Sequence, residues 1–224
     1  MRKGERRKQE LVDTAAELFI QHGYENTSLQ DILDKVGCSK GSFYHHFEAK
    51  MDLLAEIARQ HAASGYEAFL ADAGDAPLDS LNRLLYQACP FRQGEEGFLS
   101  NLIQLIRARD SAALELVLRE ATHDHFYAAF LHGVGLLEEE DGPVTDETAR
   151  FLVWQGFLDG CLLILREAAL VPLAGAVRSV QLLRALRRQM ETLLCLPYGS
   201  LVVIEAEEMA RVLEGALSAG AALA

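Results

Sequence analysis

The chain has no lysine after position 50. All five of its lysines, Lys3, Lys8, Lys35, Lys40 and Lys50, lie in the first fifty residues, so compact positive charge is confined to one end. Cysteine is equally sparse. Cys38, Cys89, Cys161 and Cys195 are far apart and form no Cys-x-x-Cys pair, which argues against a disulfide frame or a zinc site. Only five prolines occur, at Pro77, Pro90, Pro143, Pro172 and Pro197, with spacings that suit helix boundaries. No apolar run approaches the roughly eighteen residues that would span a bilayer. The start, Met1-Arg2-Lys3-Gly4-Glu5-Arg6-Arg7-Lys8, has the charge of a secretion signal, but Gln9-Glu10-Leu11-Val12-Asp13 follows in place of an apolar core. A cytoplasmic protein without membrane contact is expected. Enzyme signatures are also missing. There is no glycine-rich phosphate loop, no His-Glu-x-x-His pair and no Gly-x-Ser-x-Gly elbow, so neither a catalytic residue nor a cofactor or metal is expected.

What is present is half hydrophobic and about a quarter charged, as in a globular protein with a sizeable core. The net charge of −12 excludes a protein coated in nucleic acid. Its distribution is more informative than its total. Residues 1–60 hold nine basic side chains against ten carboxylates, whereas residues 61–224 hold twelve against twenty-three. From Lys35 to Phe47 there is no carboxylate. Any anion this chain approaches is met by the N-terminal end, and the acidic remainder turns polyanions away.

Hydrophobic periodicity predicts an all-α chain, with helices at roughly 3–22, 28–36, 39–46, 49–72, 77–89, 95–109, 111–139, 145–169, 174–195 and 200–218. The strand-like patch Leu201-Val202-Val203-Ile204 runs into Glu205-Ala206-Glu207-Glu208 and reads as a helical start. Residues 1–49 form a compact trihelical unit, and residues 50–224 form a larger antiparallel bundle.

In the first unit, Leu11, Ala15, Leu18, Phe19 and His22 share a helix face, and Gly23 closes that helix. Ser28 and Asp31 have the spacing of a capping box. Gly37 ends the second helix after about nine residues, and Ser39 caps a third. Phe43 and Phe47 point inward, with Cys38 placed as a hydrophobic staple, and Lys40, Gly41, Ser42, Tyr44 and His45 are left outward. Two short helices around a tight glycine turn, with a neutral-to-basic outer face, make a helix-turn-helix suited to a major groove. Lys40 and Lys50 supply point charge, Thr27, Ser28, Ser39 and Tyr44 supply neutral donors, and the free amides of both helix starts suit phosphate. Taken alone, the same turn is also compatible with plain structural packing.

The stretch from Leu11 to Leu54 resembles the DNA-binding region of the TetR family of transcriptional regulators. The resemblance rests on Ala15-Ala16-Glu17-Leu18-Phe19, His22-Gly23-Tyr24, Thr27-Ser28-Leu29-Gln30-Asp31-Ile32 and Ser39-Lys40-Gly41-Ser42-Phe43-Tyr44-His45-His46-Phe47, followed by Lys50 and Leu53-Leu54. It implies that Lys40, Gly41, Ser42 and His45 face bases or the groove wall. Thr27, Ser28, Ser39, Tyr44, His46 and Lys50 would hold phosphates, and Phe43 and Phe47 would be core. Leu33 and Val36 stand where alanine is usual, and Cys38 where valine is usual, which alters packing but not the outer face. The resemblance also implies a homodimer on palindromic double-stranded DNA and a small-molecule effector in the bundle.

The bundle itself gives less chemistry. The helix near 145–169 is apolar around most of its circumference, and Gly156 and Gly160 would admit a neighbouring helix, in this chain or in a second copy. Candidate effector-lining residues are Phe98, Asn101, Gln104, Leu105, His123, Phe126, Tyr127, Phe130, Trp154, Gln155 and Asp159. Gln155 and Asp159 are the best polar pair, set on an otherwise greasy helix, and the acidic bundle hints at a cationic or neutral effector. His123 and His125 diverge on a helix and cannot easily share an ion. The run Glu138-Glu139-Glu140-Asp141 reads as an exposed helix end and loop. Two rival readings are a regulator of the same fold controlled by a protein partner and, more remotely, an enzyme.

Overall fold

A computed structural model describes residues 3–72, 74, 76–107, 112–139, 145–171 and 175–222. Glu140, Asp141, Pro143 and Pro172 lie outside the described residues. Within them the chain is all-α. The helices are α1 (Lys3–His22), α2 (Leu29–Val36), α3 (Lys40–Tyr44), α4 (Lys50–Ala71), α5 (Pro77–Ala88), α6 (Glu96–Arg107), α7 (Ala112–Glu139), α8 (Glu147–Leu170), α9 (Gly175–Leu193) and α10 (Ala206–Ala222).

Local signals set most of these boundaries. In α1, Leu11, Val12, Ala15, Leu18 and Phe19 are buried, but His22 is exposed and leaves the expected stripe. Gly23 follows at φ +82°, a left-handed conformation that lets the chain turn back. The Ser28–Asp31 capping box is complete, with the Asp31 amide donating to Ser28 Oγ at 3.1 Å and the Ser28 amide donating to Asp31 Oδ2 at 2.8 Å. Gly37 ends α2 at φ 69°. Helix α3 is shorter than the expected 39–46, because Ser39 serves as its cap and His45 already closes it. Pro77 opens α5, where its missing N–H costs nothing.

Helix α4 joins the first unit to the bundle without a break, packing on α1 as well as on α5 and α7. Helix α6 packs on α8 and α10 and also reaches α1. Gly97 in α6 faces Ile20, where an added Cβ would stand 3.1 Å from Cγ1.

One expected element is absent. Residues 200–205 are not helical, and α10 starts only at Ala206. Leu201, Val203 and Ile204 are buried in this loop, with Val203 at φ 54°. Side chains from other helices satisfy its backbone in place of a helical ladder. Glu191 Oε1 accepts from the Leu201 amide (3.0 Å), Asn82 Oδ1 accepts from the Val202 amide (2.8 Å), and Asn82 Nδ2 donates to the Ser200 carbonyl (3.0 Å). Apolar burial with borrowed hydrogen bonds outweighs helix propensity here.

Helix α8 is the one described helix long and apolar enough to cross a membrane by length and composition, which the sequence pattern did not anticipate. Val153, Trp154, Phe157, Leu158, Cys161, Ile164 and Leu165 on α8 are buried, while Phe151, Leu152, Leu163 and Leu170 are about half exposed. Gly160 serves packing within this chain, since a Cβ there would lie 2.7 Å from Leu186 on α9.

Candidate nucleic-acid interface and effector cavity

The outer face of α3 is built from short-range causes. Phe43 is fully buried and stacks near Phe47, with ring centroids 5.6 Å apart, which turns the rest of the helix outward. Ser39, Lys40, Gly41, Tyr44 and His45 are exposed, and Ser42 and His46 are partly so. Tyr44 is 57% exposed despite an edge contact with Phe43. An exposed phenol beside lysine and histidine, with no carboxylate from Lys35 to Phe47, is chemically matched to phosphate and base edges. His46 sits below its ordinary value, chiefly through burial and then through the neighbouring His45 and Lys8 charges.

Two expected phosphate ligands are otherwise engaged. Thr27 is buried, and its hydroxyl donates to the Gly23 carbonyl at 2.8 Å and lies 3.3 Å from the Leu18 carbonyl. It ties the α1–α2 turn together and has no free donor for DNA. Lys50 Nζ donates to the Tyr24 and Thr27 carbonyls at 2.7 and 2.8 Å and lies 4.0 Å from the Tyr24 ring centroid. Burial lowers its pKa, with Glu25 opposing. Lys50 therefore braces the start of α4 against the preceding turn. Ser28 is a third: it is exposed, but its hydroxyl donates to Asp31 Oδ2 at 2.7 Å while its oxygen caps α2, and the Asp31 and Ser42 amides are already taken by caps.

The structure adds residues that motif reading passed over. Gly4, Arg6 and Arg7 of α1 line a groove together with Ser42 and His46. Arg6 is well exposed, and Arg7 is drawn to Glu10 at 2.9 Å. The excess of basic residues in the first ten positions was the available signal, but only the packing of α1 brings them beside α3.

The bundle holds an internal cavity lined by α4 (Ala58, His61, Ala62), α5 (Gln87, Ala88), α7 (Leu118, Arg119, Thr122, Phe126) and α8 (Phe157, Leu158, Cys161, Leu162, Leu165), with Pro90 and Phe98. It is narrow, about 40 Å³. Of the eleven expected lining residues only Phe98 and Phe126 border it, and Phe98 stacks on His61 with centroids 4.2 Å apart. The other nine lie elsewhere. Leu105, Phe130 and Trp154 are core, and Asn101 is buried outside the cavity. Trp154 Nε1 donates to His123 Nδ1 at 3.0 Å, and Tyr127 stacks on the same imidazole. Gln104 reaches away to Gly23 of the first unit. Gln155 and Asp159 both accept from Arg119, at 3.0 Å for Gln155. The expected polar pair thus grips a cavity residue from outside.

Behind His61, Arg92 is buried, and its Nη2 donates to the His61 carbonyl at 3.2 Å and lies 3.5 Å from Glu95. Gly65 makes room for that guanidinium, since a Cβ there would lie 2.7 Å from the Gln87 carbonyl as well as against Arg92. Burial depresses the His61 pKa, with Glu95 opposing. Burial also pushes the Cys89 thiol up to about 12 and raises that of Cys161, so both behave as small apolar groups.

Residues 11–57 match the family model described as "Bacterial regulatory proteins, tetR family". The stretch from α1 to α4 is thus similar to the helix-turn-helix region of that family. Two relatives show how local the sequence likeness is. The HTH-type transcriptional repressor KstR2 of Rhodococcus jostii is 45% identical over 53 residues, covering 24% of this chain and 26% of that one. The HTH-type transcriptional repressor AcnR of Corynebacterium diphtheriae is 39% identical over 57 residues, 25% and 30% of the two chains. The chain therefore spans only about a quarter to a third of the length of the curated relatives it matches. The TetR fold extends further. A TetR-family transcriptional regulator from Pectobacterium atrosepticum superimposes with TM-score 0.55 at 18% identity, over 87% of this chain and 97% of that one. One from Mesorhizobium loti does so with TM-score 0.52 at 17% identity, over 97% and 98%.

Proposed function

We propose that the chain is a cytoplasmic transcriptional repressor, without enzymatic activity, that binds a palindromic operator as a homodimer and is released by a small molecule held in the bundle. Residues 1–49 form the DNA-binding domain, and residues 50–224 form the effector and dimerisation domain. The carrying observation is the exposed, carboxylate-free outer face of α3 presented by a capped α2–turn–α3 unit. Lys40, Gly41, Ser42 and His45 read the groove. Ser39, Tyr44 and His46 hold phosphates. Arg6 and Arg7 extend that contact.

Homodimerisation is supported by the half-exposed apolar side of α8 and by the geometry of the task. One five-residue reading helix spans few base pairs, and a symmetric pair about 34 Å apart doubles the specific contact. Effector control follows from differential binding: a tenfold preference for the released conformation shifts the equilibrium by about 1.4 kcal/mol. Helix α4, which lines the cavity and continues from the reading unit, carries the shift.

The test is fluorescence anisotropy on DNA from upstream of the gene. Tyr44→Ala is expected to weaken binding to all sequences about equally, while Lys40→Ala and His45→Ala change which sequence is preferred. Full affinity in Tyr44→Ala, or no protected palindrome in footprints at low salt, would remove the proposal.

A further inference from the structure

Among the described residues, none that lines the cavity is an aspartate or glutamate, although the chain has 33 of them. The polar groups that do line it are His61, Gln87, Arg119 and Thr122. Gln87 has its acceptor end occupied, and His61 and Arg119 have their partner carboxylates placed outside the lining. Gln87 Oε1 accepts from Arg92 Nη1 at 3.1 Å, which leaves its NH2 as the uncommitted end. The Thr122 hydroxyl spends its proton on the Leu118 carbonyl at 2.8 Å. Asp159 and Glu95, the carboxylates nearest Arg119 and His61, lie outside the lining. In a chain of net charge −12, this cavity is walled by apolar side chains, with the Arg119 guanidinium and the Gln87 amide NH2 as its donors.

Arg119 is the group that meets solvent, with its side chain 31% exposed. Its guanidinium has five N–H donors, of which Gln155 and the 61%-exposed Asp159 take one each. A pair with so exposed a carboxylate is screened and weak. A bidentate carboxylate arriving from the cavity side would be held more strongly.

We propose that the cavity takes a compact amphiphilic monocarboxylate, its anionic head on Arg119 and its apolar body among Phe126, Phe157, Leu158 and Leu165. The proposal rests on the effector reading above and reverses the charge that overall composition suggested. The narrowness of the cavity gives the ligand mechanical consequences. To enter, it must draw Arg119 from Asp159 and part α7 from α8. Leu118, Arg119, Thr122 and Phe126 on α7 face Ala58, His61 and Ala62 on α4, so widening the slot presses on the helix that leads to the reading unit.

The experiment is calorimetric titration of the full-length protein with three probes sharing one tail: octanoate, 1-octanol and octylammonium. Octanoate is expected to bind at least tenfold more tightly than either of the others. In Arg119→Gln it should fall to the level of 1-octanol, while 1-octanol itself is unchanged. Asp159→Asn frees Arg119 and should tighten octanoate severalfold, a gain that a misfolded variant cannot produce. Equal or stronger binding of octylammonium, undiminished octanoate binding in Arg119→Gln, or no binding of any probe up to its solubility limit overturns the proposal. DNA anisotropy with saturating octanoate separates the two claims. Arg119-dependent binding that leaves DNA affinity unchanged upholds the carboxylate site and defeats effector control. Release by 1-octanol but not by octanoate does the reverse.

Discussion

Lys50 and Thr27 show how residue type misleads when burial is unknown. A lysine and a threonine beside α3 have the chemistry of phosphate ligands, yet both spend their donors on backbone carbonyls of the α1–α2 turn. A buried carbonyl stripped of its partner costs roughly 1–3 kcal/mol. Lys50→Met is therefore expected to lower the unfolding free energy by about 1–3 kcal/mol in urea titrations, whereas Lys40→Ala, on an exposed face, stays within about 0.5 kcal/mol. Equal midpoints for the two variants would refute the brace. Legibility from sequence followed the same division. Tyr44, His45 and Lys40 were identifiable as outward-facing because Phe43 and Phe47 set the phase of their helix. Arg119 was passed over because nothing local distinguishes it from any other helix-surface arginine.

At the level of elements, glycine does two different jobs that one measurement can separate. Gly37 and Gly23 both have positive φ, but Gly37 has open space around its missing Cβ, and Gly23 has Gln104 of α6 against it. Alanine at Gly37 should cost only the left-handed backbone penalty, roughly 1–2 kcal/mol. Alanine at Gly23 should cost more, and adding Gln104→Ala should recover the excess but not the backbone part. A double variant no more stable than Gly23→Ala alone would show that α6 does not press on the end of α1. Capping residues made the starts of α2 and α3 readable, because a cap acts within a few residues of its helix. The segment 200–205 was misread for the complementary reason. Its backbone partners lie on other helices, Glu191 ten residues away and Asn82 120 residues away, and no periodicity announces them.

For the whole molecule, the open question is what covers the half-exposed apolar side of α8. Leu152, Leu163 and Leu170 lie along one side of this helix, and each is at least 45% exposed. If a second copy of the chain covers them, Leu152→Glu with Leu163→Glu should yield a monomer in sedimentation velocity. Operator affinity should fall by at least a hundredfold, because two half-sites are then engaged independently. A dimer that survives both substitutions would place the interface elsewhere.

What the sequence determined by itself was everything that acts over a few residues: helix periodicity, caps, the glycine turn, and the sign of charge on the outer face of α3. Only the tertiary structure decided which polar side chains are free, since Thr27, Lys50, Gln155 and Asp159 are claimed by partners up to tens of residues away. It alone also showed that, among the described residues, an acidic protein lines its cavity without a carboxylate. The physical reason is common to both. Burial makes an unpaired polar group costly, so each one's role is set by whichever neighbour the fold delivers to it.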